Sequence, residues 1–427
     1  MTTLPSSLRI TPIDHPLNAT VRVPGSKSLT NRALLIAALA NGTTKLTNAL
    51  FSDDSKYFAK ALQTLGFDVQ LDEAHHEMTV TGLGGKIPAK KAELFIGNAG
   101  TAARFLSAFL TLGHGEYILD GESRMRERPI GDLIEALNQL GVEMEARNNC
   151  PPVEIFAEGL PGGKTKIAGN ISSQFLSALL MVAPYAQSPV EIELTTELNS
   201  KPYVDMTVSI IKDFGVEIER DQYSRFTIHP ANYVPITNYQ IESDASAASY
   251  FFAAPAICGG TVRVENVSRK SVQGDIAFLD VLAEMGCAVE ETDNCILVAG
   301  TSELRGVDVD MRDIPDTAQT LAAVAPFASS PTRIRGIASA RVKETDRVHA
   351  TCTELVRLGI HVEEHEDGMT IYPCPTFQPA NIQTYNDHRM AMAFSLIGLH
   401  FDGIMIENPS CVSKTFPNFF EVLDSLQ

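Results

Sequence analysis

The sequence contains no run of 18 apolar residues, and no CxxC pair occurs among its seven cysteines. We therefore expect no membrane-spanning helix, and neither a disulfide framework nor a zinc site, so that a reducing compartment fits best. Basic residues are outnumbered, since the chain has 34 Lys and Arg against 52 Asp and Glu and a net charge of −18. Such an acidic chain is not expected to bind nucleic acids or anionic membranes. The opening residues MTTLPSSLRITP lack the pattern of a signal or transit peptide. Together these features predict a cytoplasmic protein.

A length of 427 residues predicts two or three domains, and an internal repeat organises them. An amphipathic run, a Gly and an alternating stretch recur with spacings of 75, 74, 71 and 73 residues, at Gly66, Gly141, Gly215, Gly286 and Gly359. A glycine after a helical run is the usual helix stop, and the alternation that follows predicts a strand.

Two further landmarks keep the same period. Alternating strands end near Asn48, Gly121, Leu194, Asn266, Gly336 and Asn408, and largely apolar helices begin at Ser26, Asn98, Ser172, Asp244, Asp316 and Asp387. The pattern predicts an α/β protein of six units with buried helices. The sixth unit ends before its closing strand, and residues 8–13 are free to supply that strand. We therefore expect one domain of residues 1–20 plus 241–427, and a second of residues 21–240.

Polar residues collect where these helices begin. Ser, Asn and Asp occupy cap positions that leave free backbone N–H groups, and bases cluster in equivalent slots of several units, namely Lys27, Arg32, Arg128, Lys201, Lys343, Arg347, Arg389 and Lys414. In an acidic protein, this arrangement predicts a site for a multiply anionic small molecule. A phosphate-binding loop, a dinucleotide fingerprint and metal-ligand spacings are not found, so we expect no cofactor and no metal.

The motifs resemble those of a known enzyme family. PGSKSLTNRALL, LFIGNAGTAAR, RMRERPI, SSQFLSALL, RVKETDR, YNDHRMAMAFSL and SKTFPNFF are together similar to 5-enolpyruvylshikimate-3-phosphate synthases of the glyphosate-sensitive class. The resemblance runs from about residue 8 to the end of the chain. It implies two similar globular domains of three βαβαββ-type repeats each, an enolpyruvyl transferase fold like an inside-out α/β barrel, with a monomer as the usual state.

The resemblance also implies an activity and its substrates. The enolpyruvyl group of phosphoenolpyruvate passes to the 5-hydroxyl of shikimate 3-phosphate, and phosphate is released through a tetrahedral intermediate on the route to chorismate and the aromatic amino acids. Glyphosate is the expected inhibitor. Asp316, Glu344 and Lys27 are the implied catalytic residues, with Asp316 taking the hydroxyl proton and Glu344 exchanging the methylene proton.

Binding roles follow from the same resemblance, position by position. Shikimate 3-phosphate is expected at Lys27, Ser28, Arg32, Ser172, Ser173, Gln174, Ser200, Tyr203, Asp316, Ser339 and Lys343. Phosphoenolpyruvate is expected at Lys27, Gly100, Arg128, Gln174, Arg347, Arg389 and Lys414, with Gly100 allowing close approach to its backbone. Two positions depart from the family pattern: Ser339 replaces the usual Asn, and Phe105 replaces a common Pro, which predicts a shifted helix start.

Two alternatives stay open at this point. A UDP-N-acetylglucosamine enolpyruvyl transferase has a similar architecture, but that family expects a reactive Cys in a mobile loop and no cysteine of this chain lies at RMRERP. A non-enzymatic repeat protein could bind anions at its helix starts, although such a scaffold has no use for carboxylates such as Asp316 and Glu344 among its bases.

Overall fold

The structure, a computed structural model, describes residues 4–292 and 295–427. The chain forms two units. The inserted unit is Gly25–Glu242, and the discontinuous unit combines the described residues up to Pro24 with Ser243–Gln427. The expected boundaries, after residues 20 and 240, lie four and two residues earlier in the chain. Across the described ranges, no helix has both the length and the apolar composition needed to cross a bilayer.

The strands are short, and most of them alternate between buried and exposed residues. In chain order they are β1 Ser7–Arg9, β2 Leu17–Arg22, β3 Asn41–Thr47, β4 Asp68–Asp72, β5 Glu77–Leu83, β6 Lys91–Phe95, β7 His114–Asp120, β8 Glu143–Ala146, β9 Val153–Glu158, β10 Gly163–Ile167, β11 Val190–Leu194, β12 Glu219–Asp221, β13 Arg225–Ile228, β14 Asn238–Gln240, β15 Gly260–Glu265, β16 Ala288–Thr292, β17 Cys295–Ala299, β18 Asp308–Asp310, β19 Thr332–Arg335, β20 Val362–His365, β21 Gly368–Ile371, β22 Ala380–Ile382 and β23 Ile404–Glu407.

The helices alternate along the chain between buried and amphipathic types. They are α1 Lys27–Leu39, α2 Asp53–Thr64, α3 Gly100–Leu110, α4 Gly131–Gln139, α5 Ser173–Val182, α6 Lys201–Asp213, α7 Ala245–Cys258, α8 Phe278–Glu284, α9 Ala318–Val324, α10 Arg347–Arg357, α11 His388–Gly398 and α12 Phe419–Asp424. Each of the six predicted strand phrases is a strand, and each predicted buried helix is present. In the fifth repeat a 3₁₀ turn, Pro315–Thr317, directly precedes the buried helix α9.

The sheets repeat one pattern. Within the described residues the strands form six separate sheets, three in each unit, and none of them closes into a barrel. Five sheets have four strands, with one parallel pair followed by two antiparallel pairings, as in the order β6-β7-β9-β8. In three of these sheets the parallel pair, β6-β7, β10-β11 or β18-β19, is joined through a buried helix, because parallel strands need a crossover connection. The predicted α/β architecture of three repeats per unit is therefore confirmed.

The sixth sheet is completed by the start of the chain. It has the order β1-β23-β22, and β1 pairs antiparallel with β23 so that Leu8 lies opposite Ile406. The prediction that the N-terminal segment supplies the missing strand is thus confirmed, with a strand shorter than residues 8–13. This pairing places both ends of the chain in the discontinuous unit.

Each unit has a core of buried helices wrapped by its sheets. In the inserted unit α3 packs against α1 and α5, and in the discontinuous unit α7, α9 and α11 pack against one another. Leu34 to Ala40 are all 0% exposed, as expected for a helix that is apolar nearly all round. Because the bodies of these helices are buried, polar side chains lie at their N-terminal ends and in the loops after the outer strands.

Candidate active site

The first set of predicted residues lies where α1 begins in the inserted unit. Ser26 caps the helix by accepting a hydrogen bond from the backbone N–H of Leu29 at 3.4 Å. The ammonium of Lys27 lies 3.6 Å from Oδ2 of Asp54, a side chain only 2% exposed at the start of α2. Lys27 is thus held by a buried carboxylate next to a helix N-terminus, where an anion is favoured.

Arg32 lies one turn further along α1 and is 1% exposed. Its guanidinium donates to the hydroxyl of Thr207 at 2.8 Å, the carbonyl of Ser28 at 3.0 Å and the carbonyl of Tyr203 at 3.2 Å. It also lies over the ring of Phe105, with Cζ 5.1 Å from the ring centroid. Burial lowers the pKa of Arg32 to about 10. The guanidinium therefore ties Ser28 to Tyr203.

Gly100 and Arg128 form a second pair in the same unit. A methyl group on residue 100 would lie 3.0 Å from Cζ of Arg128, so the absent side chain makes room for the guanidinium. Arg128 is 3% exposed and donates to both oxygens of Asn98, the carbonyl at 2.9 Å and the amide oxygen at 3.0 Å. Sequence reasoning assigned the space beside Gly100 to a ligand, whereas the structure fills it with Arg128.

The remaining predicted residues of the inserted unit lie at two further helix starts. Ser172 caps α5 and accepts from the backbone N–H of Gln174 at 3.3 Å, and Ser173 is 7% exposed. Ser200 precedes α6 in the left-handed region, with φ 58°. Tyr203 lies in the first turn of α6, and its backbone carbonyl accepts the hydrogen bond from Arg32. Serine hydroxyls and free N–H groups at helix starts are suited to phosphate.

Phe105 does not interrupt the helix in which it lies. It is fully buried in the second turn of α3, which begins at Gly100. Its ring supports Arg32, so an aromatic residue here packs against a charged group and not only against the apolar core.

In the discontinuous unit the predicted residues meet in one ion cluster around Arg347. This arginine is 4% exposed at the start of α10, and its Nε donates to Asp387 at 2.7 Å. Its Nη1 donates to Asp316 at 3.1 Å and its Nη2 to Glu344 at 2.7 Å. Burial alone lowers the pKa of Arg347, but the three carboxylates together raise it above its ordinary value. Arg347 is therefore a fixed cation.

Arg389 and Lys414 extend the cluster from neighbouring elements. Arg389, in the first turn of α11, donates to Asp316 at 2.7 Å and to the hydroxyl of Tyr250 at 3.3 Å. The ammonium of Lys414 lies 3.9 Å from Glu344. Asp316 thus bridges two arginines, and Glu344 lies between an arginine and a lysine, so both candidate proton-transfer groups are held directly among cations.

Ser339 and Lys343 lie in the segment that leads into α10. Ser339 is half-buried in a 3₁₀ turn, Ala338–Val342, and Lys343 directly precedes Glu344. Asp346 caps α10 by accepting from the backbone N–H of His349 at 3.0 Å, which fixes the end of this segment. Both residues therefore lie in the segment between β19 and α10 that also carries Glu344.

Four residues that sequence reasoning gave no role hold the site together. Asp387 is 0% exposed and binds Arg347 through both oxygens, while Asp54, Asn98 and Tyr250 hold Lys27, Arg128 and Arg389. Asp387 could have been found, because it occupies the same repeat slot as Asp316. Asn98 occupies that slot as well, whereas nothing in the spacing marks Asp54 and Tyr250, which lie in ordinary helix positions.

The geometry supports proton transfer beside a bound anion. Guanidinium and ammonium groups attract carboxylates and phosphates, and the adjacent carboxylates accept or donate protons. The inserted unit offers helix starts with Lys27 and Arg128, and the discontinuous unit offers the cluster around Arg347.

Comparison with known proteins identifies the family. The family model described as EPSP synthase (3-phosphoshikimate 1-carboxyvinyltransferase) matches residues 12–423. The chain is 50% identical over 416 residues to the 3-phosphoshikimate 1-carboxyvinyltransferase of Trichormus variabilis, covering 97% of each chain. It is 50% identical over 425 residues to the Sulfurovum sp. protein of that name, covering 99% of each.

A solved structure agrees with these sequence matches. The fold is similar to that of an EPSP synthase from Acinetobacter baumannii, with a TM-score of 0.81 at 26% identity, covering 98% of this chain and 97% of the other. Family model, relatives and fold agree along nearly the whole sequence, and the chain therefore belongs to the EPSP synthase (3-phosphoshikimate 1-carboxyvinyltransferase) family.

Proposed function

We propose that the chain transfers the enolpyruvyl group of phosphoenolpyruvate to the 5-hydroxyl of shikimate 3-phosphate and releases phosphate. The observation that carries this proposal is the bonding of Asp316 and Glu344 directly to Arg347. A site that only binds anions is weakened by carboxylates among its bases, whereas a site that moves protons beside an anion needs both. Family membership and the names of the relatives support the same reaction.

The proposed chemistry is addition followed by elimination. In the first step the 5-hydroxyl oxygen bonds to C2 of phosphoenolpyruvate, Asp316 accepts the hydroxyl proton, and Glu344 gives a proton to C3, which becomes a methyl group. In the second step C3 loses a proton to Glu344, the C2–C3 double bond re-forms, the C2–O bond to phosphate breaks, and the leaving phosphate takes the proton from Asp316. Both steps develop charge next to fixed cations, which stabilise it without reorganising.

The proposed phosphoenolpyruvate ligands are cations and backbone groups from several helix starts. Bidentate guanidinium groups match carboxylate and phosphate geometry. The set comprises Lys27, Gly100, Arg128, Gln174, Arg347, Arg389 and Lys414. For Gly100 we propose that its part is to admit the guanidinium of Arg128, as the space beside its backbone indicates.

The proposed shikimate 3-phosphate ligands are mostly hydroxyl, amide and lysine groups. Serines at the start of α5 suit the 3-phosphate, because a helix N-terminus attracts an anion. The set comprises Lys27, Ser28, Arg32, Ser172, Ser173, Gln174, Ser200, Tyr203, Asp316, Ser339 and Lys343. We propose that Arg32 contributes mainly by fixing Ser28 and Tyr203, since four of its five N–H groups donate to acceptors within the unit.

Three finer properties belong to the same proposal. Inhibition by glyphosate follows from the motifs around Gly100 and Arg128, which resemble the glyphosate-sensitive class. A monomeric state is expected from the same resemblance. A cytoplasmic location is supported by the seven cysteines, all of which are free thiols in the structure.

Phosphate release tests the proposed function. The protein is incubated with phosphoenolpyruvate and either shikimate 3-phosphate or UDP-N-acetylglucosamine, and inorganic phosphate is followed with time. Release with shikimate 3-phosphate alone is the expected result. Release only with the amino sugar would assign the chain to the other enolpyruvyl transferases, and release with neither would favour a non-enzymatic anion-binding protein.

A further inference from the structure

One buried acid lies outside the proposed ligand sets. Asp275 belongs to a 3₁₀ turn, Gly274–Ala277, that leads into α8, and it is 4% exposed. Its motif VQGD fills the repeat slot that RMRERP, RVKETDR and VSKTFP fill in other units. Those motifs supply Arg128, Glu344 and Lys414, so the repeat places Asp275 where other units carry site residues.

The turn that carries Asp275 is fastened to the start of α7. The side-chain amide of Gln273 donates to the carbonyl of Ser243 at 2.7 Å and accepts from the backbone N–H of Ala245 at 3.1 Å. The hydroxyl of Ser246 donates to Oδ2 of Asp275 itself. These bonds give the carboxyl group a fixed position relative to α7.

The face of α7 that carries Ser246 also carries a residue that contacts the ion cluster. Ser246 and Tyr250 are four residues apart and therefore share one face of the helix. Ser246 contacts Asp275, while Tyr250 accepts from Arg389, which in turn donates to Asp316. Asp275 is thus connected through a single helix face to the arginine and the carboxylate of the proposed site.

The charged groups that act on Asp275 come from three elements. Asp316, at the entry to α9, and Asp244, the cap of α7, disfavour its ionised form, whereas Arg389 on α11 favours it. Burial has the largest effect, and with Asp316 it raises the pKa of Asp275 to about 7. The group therefore changes charge near neutral pH.

We propose that Asp275 is a positioning residue that controls how far the positive charge of Arg389 is available to an anionic ligand. This inference rests on the proposed function. When Asp275 is neutral, it does not compete with the anionic ligand for the charge of Arg389. When Asp275 is ionised, its charge attracts Arg389 and repels the anion, so phosphoenolpyruvate binds more weakly.

A thermodynamic consequence follows from this coupling. If ionised Asp275 weakens anion binding, a bound anion must by linkage favour protonated Asp275. The KM for phosphoenolpyruvate should therefore rise as the pH increases above about 7, several-fold by pH 9, while kcat changes less. A residue that only supports the fold would not raise the KM with pH while leaving kcat less affected.

The test compares Asp275→Asn with the wild type at saturating shikimate 3-phosphate, from pH 6 to pH 9. Asparagine keeps the shape and remains neutral, so its KM for phosphoenolpyruvate should stay near the low-pH value of the wild type. Asp280→Asn is the matched control, because Asp280 is 68% exposed on α8 and pairs with Arg269. Ionisation of phosphoenolpyruvate itself affects all three proteins equally and cancels in the comparison.

A second variant, Ser246→Ala, tests the same inference if Asp275→Asn does not fold. The hydroxyl of Ser246 lowers the pKa of Asp275, so Ser246→Ala should displace the rise in KM to higher pH. Parallel KM profiles for the wild type, Asp275→Asn and Ser246→Ala would overturn the assignment of Asp275 and leave the proposed function intact. Absence of phosphate release from the wild type would instead contradict the proposed function, and this inference with it.

Discussion

Two buried arginines, one in each unit, are held in opposite ways. Arg32 donates to neutral oxygens of Thr207, Ser28 and Tyr203, and burial lowers its pKa to about 10. Arg347 donates to three carboxylates, and these raise its pKa in spite of burial. Both side chains are less than 5% exposed, so exposure does not distinguish them.

The difference between these arginines is one of charge compensation. Neutral oxygens satisfy a guanidinium without cancelling its charge, which suits a residue that fixes the loops around an anion site. Carboxylates cancel the charge, and a buried pair of this kind gains little net stability. The proposed proton transfer would account for two of them, because Asp316 and Glu344 are then held beside the proposed anion site.

Removal of Arg347 should have the largest effect. Arg347→Met leaves Asp316, Glu344 and Asp387 close together without their shared cation, so the free energy of unfolding should fall by about 3–5 kcal/mol. Lowering the pH from 8 to 5 should restore part of the loss, because added protons relieve the mutual repulsion of the three carboxylates. Denaturant unfolding of the ligand-free protein at both pH values measures this, and a loss independent of pH would contradict it.

Removal of Arg32 should cost less and respond differently to pH. Arg32→Met leaves buried neutral acceptors with fewer donors, which predicts a loss of about 1–3 kcal/mol in unfolding free energy. No carboxylate accepts from Arg32 in its set of bonds, so the loss should be the same at pH 5 and pH 8. If the loss at pH 5 were clearly smaller, the two arginines would not differ in the way described.

The repeat pattern explains why the fold could be predicted and the partners of Arg32 could not. Gly66, Gly141, Gly215, Gly286 and Gly359 all have positive φ, as a helix stop followed by a strand requires. Three partners of Arg32, in contrast, are 145 to 175 residues away, at Ser177, Tyr203 and Thr207. Serine and threonine on largely apolar helices look like ordinary packing positions, so only tertiary structure reveals their role.

Gly100 shows a second limit of prediction. A helix-start glycine indicates close approach of another group, but the sequence does not say whether that group is a ligand or a side chain. The structure places the guanidinium of Arg128 there. The distinction depends on a contact between residues that lie on different elements, which no local pattern specifies.

Removal of Lys27 should affect activity more than stability. Lys27→Ala takes a cation away from Asp54, which is 2% exposed, so a loss of about 1 kcal/mol in unfolding free energy is expected. Loss of activity should be far larger, because Lys27 belongs to both proposed ligand sets. Lys56→Ala is the control, since Lys56 and Glu73 form an exposed pair, and it should alter neither property appreciably. Equal losses of activity in both variants would contradict a specific role of Lys27 in ligand binding.

Gly100→Ala should have the smallest effect on stability and a selective effect on binding. The methyl group would displace the guanidinium of Arg128, so the KM for phosphoenolpyruvate should rise about three- to tenfold, an effect of about 1 kcal/mol. Glyphosate is the longer molecule, and its inhibition should weaken by a larger factor. The measurement is paired inhibition curves at matched saturation with phosphoenolpyruvate.

A double-mutant cycle tests whether the methyl group acts through Arg128. In the background of Arg128→Ala, the further change Gly100→Ala should add little to the KM, because the displaced group is already gone. Additive effects would mean that residue 100 lines the phosphoenolpyruvate site directly, as the sequence alone suggested.

Deuterium incorporation tests the central claim, that carboxylates held among arginines perform proton chemistry. The enzyme is run in D₂O with phosphoenolpyruvate and shikimate 3-phosphate, and the product methylene is examined by NMR. Addition places a solvent-derived deuteron on C3, and elimination removes one of the three hydrogens there, so deuterium should appear in the methylene group. Glu344→Gln should slow its appearance strongly. Product formed by the wild type with no deuterium at C3 would contradict the proposed addition and elimination.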